Sequence, residues 1–139
     1  MDHSRRHHHL FVSSTDSFTY FPNNSGSDFT IQLPGRLYFR GIWECSLISV
    51  CLPSEVEEDI VILCDLCEHS YISNTQLPVL RVLQKGHANH NGSFNQTMKM
   101  QITPIETETI RIYMRTISGK VPTFIDGQVK CTLLLNRII

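Results

Sequence analysis

A chain of 139 residues that is 41% hydrophobic, with a formal net charge of −1, has the size and apolar content of one domain with its own core. That excludes a disordered body and any need for disulfide staples. The near-zero charge excludes a global electrostatic pull toward nucleic acid or an anionic membrane, and no apolar run approaches the roughly 18 residues of a membrane-spanning helix.

The chain starts Met1-Asp2-His3-Ser4-Arg5-Arg6-His7-His8-His9. This stretch is polar and has no apolar segment of secretory type. Residues 1–9 are expected to form a flexible polar and basic arm, and residues 10–139 a single domain. Arg5 and Arg6 give the arm only a weak footprint for nucleic-acid contact. Five cysteines are present, Cys45, Cys51, Cys64, Cys67 and Cys131. An odd number without a secretory segment points to free thiols in a reducing compartment. The Asn-x-Ser/Thr triplets at Asn23, Asn91 and Asn95 therefore carry no weight as glycosylation sites.

In chain order, Leu10-Phe11-Val12 opens the ordered part, and the Ser-, Asn- and Gly-rich residues 13–28 read as a loop. Phe29-Thr30-Ile31-Gln32-Leu33 alternates apolar with polar and predicts a strand, which Pro34-Gly35 should end. Leu37-Tyr38-Phe39 is a short extended piece. Residues 42–52 form the longest apolar run. Trp43, Cys45, Leu47 and Cys51 share one parity there, and Ile48 and Val50 the other. Both faces should be partly covered, as in a central strand. Pro53 stops the run, and the acidic residues 54–59 read as a solvated connection.

Residues 60–66 predict a further strand with apolar residues on both faces, and Val79-Leu80-Arg81-Val82-Leu83 another. Residues 84–96 read as a polar surface loop. Met98, Met100 and Ile102 alternate with Lys99, Gln101 and Thr103. The clearest signal follows in Thr109-Ile110-Arg111-Ile112-Tyr113-Met114-Arg115-Thr116. Its apolar row Ile110, Ile112 and Met114 predicts a buried face, and Arg111, Tyr113 and Arg115 an outward one. Val129, Cys131, Leu133 and Leu135 line one face of the last strand. No segment has helical periodicity with caps. The pattern predicts an all-β domain, a single jelly-roll β-sandwich of about eight antiparallel strands. A lipocalin-like barrel is the competitor, but it favours tighter hairpins than residues 13–28 and 84–96 allow.

Sites for chemistry are sparse. Cys64-Asp65-Leu66-Cys67-Glu68-His69 contains half of a structural zinc pattern. On one strand, however, Cys64 and Cys67 would face opposite ways, and there is no second well-spaced pair. Cys64 is expected as a small core residue, and no metal or other cofactor is expected. His87 and His90 lie in a polar loop without a nucleophile beside them. Glu106 and Glu108 read as strand-edge residues. No strand carries the His and Glu ligands of a cupin-type enzyme, and no phosphate loop or dinucleotide fingerprint occurs. The chain is therefore not expected to be an enzyme.

Several segments taken together resemble one family. They are Phe18-Thr19-Tyr20-Phe21-Pro22-Asn23-Asn24, then Phe29-Thr30-Ile31-Gln32-Leu33-Pro34, then Leu37 with Gly41-Ile42-Trp43-Glu44-Cys45-Ser46-Leu47. Ile62-Leu63-Cys64-Asp65-Leu66, Pro78-Val79-Leu80-Arg81-Val82, residues 110–115 and Gly127-Gln128-Val129 continue the pattern. In order and spacing the chain resembles the minor capsid (penton) proteins of Polintons, also called Mavericks, and of related adintovirus-like DNA viruses. The likeness runs from residue 10 to 138. The acidic residues 54–59 and the loop at residues 87–95 depart from it.

The resemblance implies a virion protein made in the host cell and not secreted: a single jelly roll forming a homopentamer at capsid vertices. A double-jelly-roll major capsid protein would surround it. In such a ring Arg111, Tyr113 and Arg115 are the candidate interface residues, since Arg and Tyr are favoured at interfaces. The alternative is a cellular or domesticated β-sandwich module that binds a receptor, glycan or protein ligand.

Overall fold

The structure, a computed structural model, describes residues 7–52, 58–72, 74–84, 91–94, 96, 98–122 and 128–139. Every regular element among them is a strand: β1 (His7–Ser13), β2 (Asp28–Tyr38), β3 (Trp43–Cys51), β4 (Ile60–Cys64), β5 (Ser70–Ile72), β6 (Thr75–Leu77), β7 (Val79–Leu83), β8 (Asn91–Ser93), β9 (Met100–Gln101), β10 (Glu106–Thr116) and β11 (Lys130–Arg137). Two antiparallel sheets form a β-sandwich. Sheet A has the order β1-β11-β3-β8, with β9 also paired to β3, and sheet B the order β2-β10-β4-β7. A hairpin of β5 and β6 stands apart from both.

The inner faces follow from period-two alternation. Sheet B contributes Phe29, Ile31, Ile60, Ile62, Ile110, Ile112 and Met114, and sheet A contributes Trp43, Cys45, Leu47, Val50, Cys131, Leu133 and Leu135. These side chains interdigitate in one buried cluster. At about 25 cal/mol per Å² of apolar surface removed from water, this cluster is the main force holding the sheets together. In β4 every residue is buried. Its inward row joins the main core, while Val61 and Leu63 form a second cluster with Val79 on the outside of sheet B. Ile72 and Leu77 of the β5–β6 hairpin pack on that cluster. The hairpin, absent from the sequence-based expectation, explains why this strand is apolar on both parities.

Several features differ from expectation. Within residues 84–96, read as a polar loop, Asn91–Ser93 form β8 and pair with Cys51, Val50 and Ser49 of β3. His7, His8 and His9, expected in the arm, are the first residues of β1 and pair with Asn136, Leu135 and Leu134 of β11. His8 stacks on Trp43 at 5.7 Å, which gives it a packed place. Arg5 and Arg6 lie outside the described residues.

Pro34-Gly35 does not end its strand, because β2 is an edge strand and a missing N–H there breaks no ladder bond. Instead the pairing jumps from Thr107↔Leu37 to Thr109↔Gln32, leaving a bulge. Arg36 spans its far side to Glu106 at 2.9 Å and Glu108 at 2.6 Å.

In β3 a register shift lies between Thr132↔Ser49 and Leu133↔Leu47. The extra residue, Ile48, flips the parity. Val50 and Leu52 therefore turn inward, and Cys51, expected with the Trp43 row, is only partly buried.

Finally, β4 stops at Cys64. The chain turns there, with the Cys67 N–H donating to the Cys64 carbonyl at 3.1 Å.

One glycine is required by geometry. Gly41 has φ of +90°, and a Cβ on it would lie 2.0 Å from the Ile139 carbonyl oxygen. That close approach lets the Ile42 N–H donate to Ile139 at 3.0 Å and the Ile138 N–H donate to Ile42 at 2.7 Å. Next to it the Trp43 indole N–H donates to the Arg40 carbonyl at 2.9 Å. The Gly41-Ile42-Trp43 segment thus anchors the start of β3 to the chain after β11.

Gly41→Ala is expected to destabilise the protein by at least about 1–2 kcal/mol, from left-handed strain with the clash added. Ile112→Ala, which empties a fully buried site, should cost about 2–5 kcal/mol. Urea denaturation of both variants checks these values. A Gly41→Ala protein as stable as the parent would remove the close-approach account.

Candidate interaction surface

The outward row expected of β10 is present on the open part of sheet B. The Arg111 guanidinium grips Asp28 at the start of β2 through two bonds, Nε to Oδ1 at 3.0 Å and Nη2 to Oδ2 at 2.8 Å. The hydrogen bond to Asp28 raises the Arg111 pKa further and so secures its charge. Both side chains are about two-fifths exposed, so solvent screening limits the pair to roughly 1 kcal/mol or less. Arg111 Cζ lies 4.1 Å from the centre of the Tyr113 ring, and Arg115 Cζ 5.3 Å from it. Tyr113 is thereby held between two cations, with its lower side on the apolar cluster under the β5–β6 hairpin. Burial raises the Tyr113 pKa, so the phenol stays protonated at neutral pH. The three residues form one continuous ladder. Arg115 donates to the Met114 carbonyl at 2.7 Å and has no carboxylate partner among the described residues.

Beside the ladder, the loop between β1 and β2 closes the free edge of β2. The Thr30 N–H donates to Asn24 Oδ1, and Asn24 Nδ2 donates to the Thr30 carbonyl, both at 2.9 Å. The Gln32 N–H donates to Ser17 Oγ at 2.9 Å, and the Ser25 N–H to the Asp28 carbonyl at 2.9 Å. Side chains thus replace a neighbouring strand, which blunts an otherwise open template. Asn24 of the Pro22-Asn23-Asn24 motif, placed by the sequence in a loop, has this physical use. Between this loop and the end of β10 lies an open cleft of about 610 Å³. Tyr20, Asn23, Ser27, Thr30, Arg115 and Val121 line it.

Sheet A carries a different outward row. His7, His9 and Phe11 follow each other on β1, with ring centres 5.8 Å and 6.4 Å apart. Phe11 is 76% exposed. No described strand pairs with the outer edge of β1. At the opposite side of the sandwich, Arg81 of β7 lies over Phe94 at 3.7 Å and donates to the Gln96 carbonyl at 2.7 Å. This contact links the β7 edge of one sheet to the segment after β8 of the other.

Cys64 and Cys67, expected on opposite faces, both face the core, because the turn after Cys64 brings Cys67 back. Cys67 bridges to Ile102, whose N–H donates to the Trp43 carbonyl at 2.8 Å. Cys45, two residues further on β3, completes a buried thiol trio with them. Hydrogen bonding to Cys64 and Cys67, and then burial, holds Cys45 well above the ordinary thiol range. The hydrogen bonds of the trio favour charge at Cys67, against the burial of its sulfur. Burial, with smaller contributions from neighbouring Cys64 and Cys51, pushes Cys131 up to about 12. Among the described residues no three His, Cys, Asp or Glu side chains are arranged to hold a metal ion. His87 and His90 lie outside the described residues.

No protein-family model matches the sequence, and no curated protein matches it. Sequence reasoning placed Arg111, Tyr113 and Arg115 on one face. It missed Asp28 as the partner of Arg111, Asn24 as the edge clamp, and Cys45 as the third thiol. Each of these depends on a pairing register between distant segments.

Asn24→Ala removes both bonds to Thr30 and is expected to cost about 1–3 kcal/mol. Amide exchange at Thr30 should then speed up far more than at Ile112, which hydrogen-exchange mass spectrometry reads. Equal protection of Thr30 in parent and variant would show that the clamp is not needed to close the edge.

Proposed function

We propose that this protein is a structural virion component: a jelly-roll minor capsid protein of penton type that assembles as a homopentamer. Strand order is the observation that carries this reading. Leaving out the hairpin and short β9, and renumbering the remaining strands in chain order, the sheets read 1-8-3-6 and 2-7-4-5. The chain changes sheet at every step except from the fourth strand to the fifth. That order supports a double Greek key, the jelly-roll plan. The family resemblance supports the capsid role. Several residues that carry it have structural work here, Asn24 at the β2 edge and Gly41 with Trp43 at the start of β3.

A closed ring of identical subunits needs two different surfaces that fit each other. The two outer faces supply such a pair. Sheet A offers the aromatic row His7, His9 and Phe11, and sheet B the cationic ladder Arg111, Tyr113 and Arg115. Arginine over aromatic rings is a favourable contact, and both residue types are enriched at interfaces. A double-jelly-roll major capsid protein is the partner that would surround the ring, at a capsid vertex.

Native mass spectrometry of the purified protein at high concentration is expected to show a five-copy species. Replacing Arg111 and Arg115 together by Ser should shift it toward monomer while leaving the unfolding midpoint within about 1 kcal/mol of the parent. A strictly monomeric parent that binds no capsid partner would overturn the assignment. Unchanged assembly in the double variant would leave the ladder as plain surface.

A further inference from the structure

We infer that the cleft between the β1–β2 loop and the Arg115 end of β10 is a binding site for a sugar bearing a single carboxylate. Its volume, about 610 Å³, lies in the range of small-ligand sites. Charge narrows the ligand class. Asp28, on the cleft floor, has both oxygens engaged by Arg111, so that pair is neutral. Arg115 donates only to a main-chain carbonyl, so its remaining N–H groups supply the one net charge of the cleft. A guanidinium matches a carboxylate in two-pronged geometry. A nucleotide or polyphosphate would need several cations, and none but Arg115 is unpaired on this lining.

The remaining lining suits a ring that is apolar on its face and hydroxylated at its rim. Tyr20 is 67% exposed and Val121 55% exposed. They give two apolar walls, one of them an aromatic platform with a polar tip. The Asn23 amide makes no hydrogen bond within the described residues. The Thr30 hydroxyl is likewise unengaged, and the Ser27 hydroxyl has only a 3.4 Å contact to Ser25. These groups are neutral donors and acceptors of the kind that pair with sugar hydroxyls.

The loop side of the cleft is also held in place. The Asn24 side chain locks onto Thr30, the Asn24 N–H donates to Phe21 at 3.1 Å, and the Met114 N–H donates to the Ser27 carbonyl at 2.8 Å. A site fixed before binding loses less entropy when it is filled. This inference does not rest on the capsid assignment.

Saturation-transfer NMR and calorimetry on the full chain, with glucuronate and N-acetylneuraminate as probes and lactose and acetate as controls, test it. At least one acidic sugar should bind measurably, and neither lactose nor acetate should match it. Arg115→Gln should weaken that binding about tenfold or more, the effect of losing one charge-assisted bond. Tyr20→Ala should weaken it severalfold. Tyr20 is largely in solvent and off the β10 ladder, so this variant keeps the test valid even if Arg115→Gln fails to fold. No binding of either acidic sugar, lactose or acetate binding as well, or unchanged affinity in Tyr20→Ala would each overturn the site. A ring contact through Arg115 would compete with the sugar, so binding is measured at a dilution where mass shows the monomer; assembly is read by mass and sugar binding by saturation transfer, so either proposal can fail alone.

Discussion

Strand β10 carries the constraint on which the rest of the structure depends. It lies between β2 and β4 and keeps Ile110, Ile112 and Met114 fully out of water. A slip of one residue would drive Arg111, Tyr113 and Arg115 into the core and expose the apolar row. Burying unpaired guanidinium groups costs far more than any ladder bond returns. The register is therefore locked, and with it the neighbours. Tyr113 lies opposite Asp28, and Arg111 opposite Thr30. The ion pair, the cation–aromatic ladder and the floor of the cleft all follow from that single alignment.

Where the chain departs from regular pairing, it does so to satisfy the core or an edge. The bulge at Ile48 turns Val50 and Leu52 inward. Without it the second half of β3 would present the wrong face. The insertion at Pro34-Gly35 is tolerated because it lies on an edge strand, where a lost N–H breaks nothing. The same edge is closed nearby by the side chains of Ser17 and Asn24 and the main-chain N–H of Ser25, which together substitute for a neighbouring strand. The outer edge of β1 has no such cover among the described strands, and Phe11 on this strand is exposed.

The two outer faces of the sandwich have separate characters. Sheet B is divided between an apolar patch covered by the β5–β6 hairpin and the arginine–tyrosine ladder. Sheet A bears an aromatic row. The cysteines belong to the interior. Cys45, Cys64 and Cys67 meet in the core, where burial opposes a charged sulfur and only at Cys67 do both mutual hydrogen bonds favour charge. The surface carries two unlike faces and one open cleft beside Arg115.

The fold class was legible in the sequence because alternation is a local property. Which of Ile110, Arg111, Ile112 and Tyr113 face inward is decided within a few residues, by the geometry of any extended chain. The row Arg111, Tyr113 and Arg115 was legible for the same reason. What those residues do there was not. The grip of Arg111 on Asp28, the clamp of Asn24 on Thr30 and the meeting of Cys45 with Cys64 and Cys67 join segments brought together by strand pairing. Registers, bulges and the unforeseen hairpin set those meetings, and they are fixed by the packing of the whole core rather than by any local pattern. By itself the sequence determined the all-β class and the inward faces of the regularly alternating strands, β10 above all. Only the tertiary structure decided which outward side chains share a surface, because that depends on interactions between residues far apart in the chain.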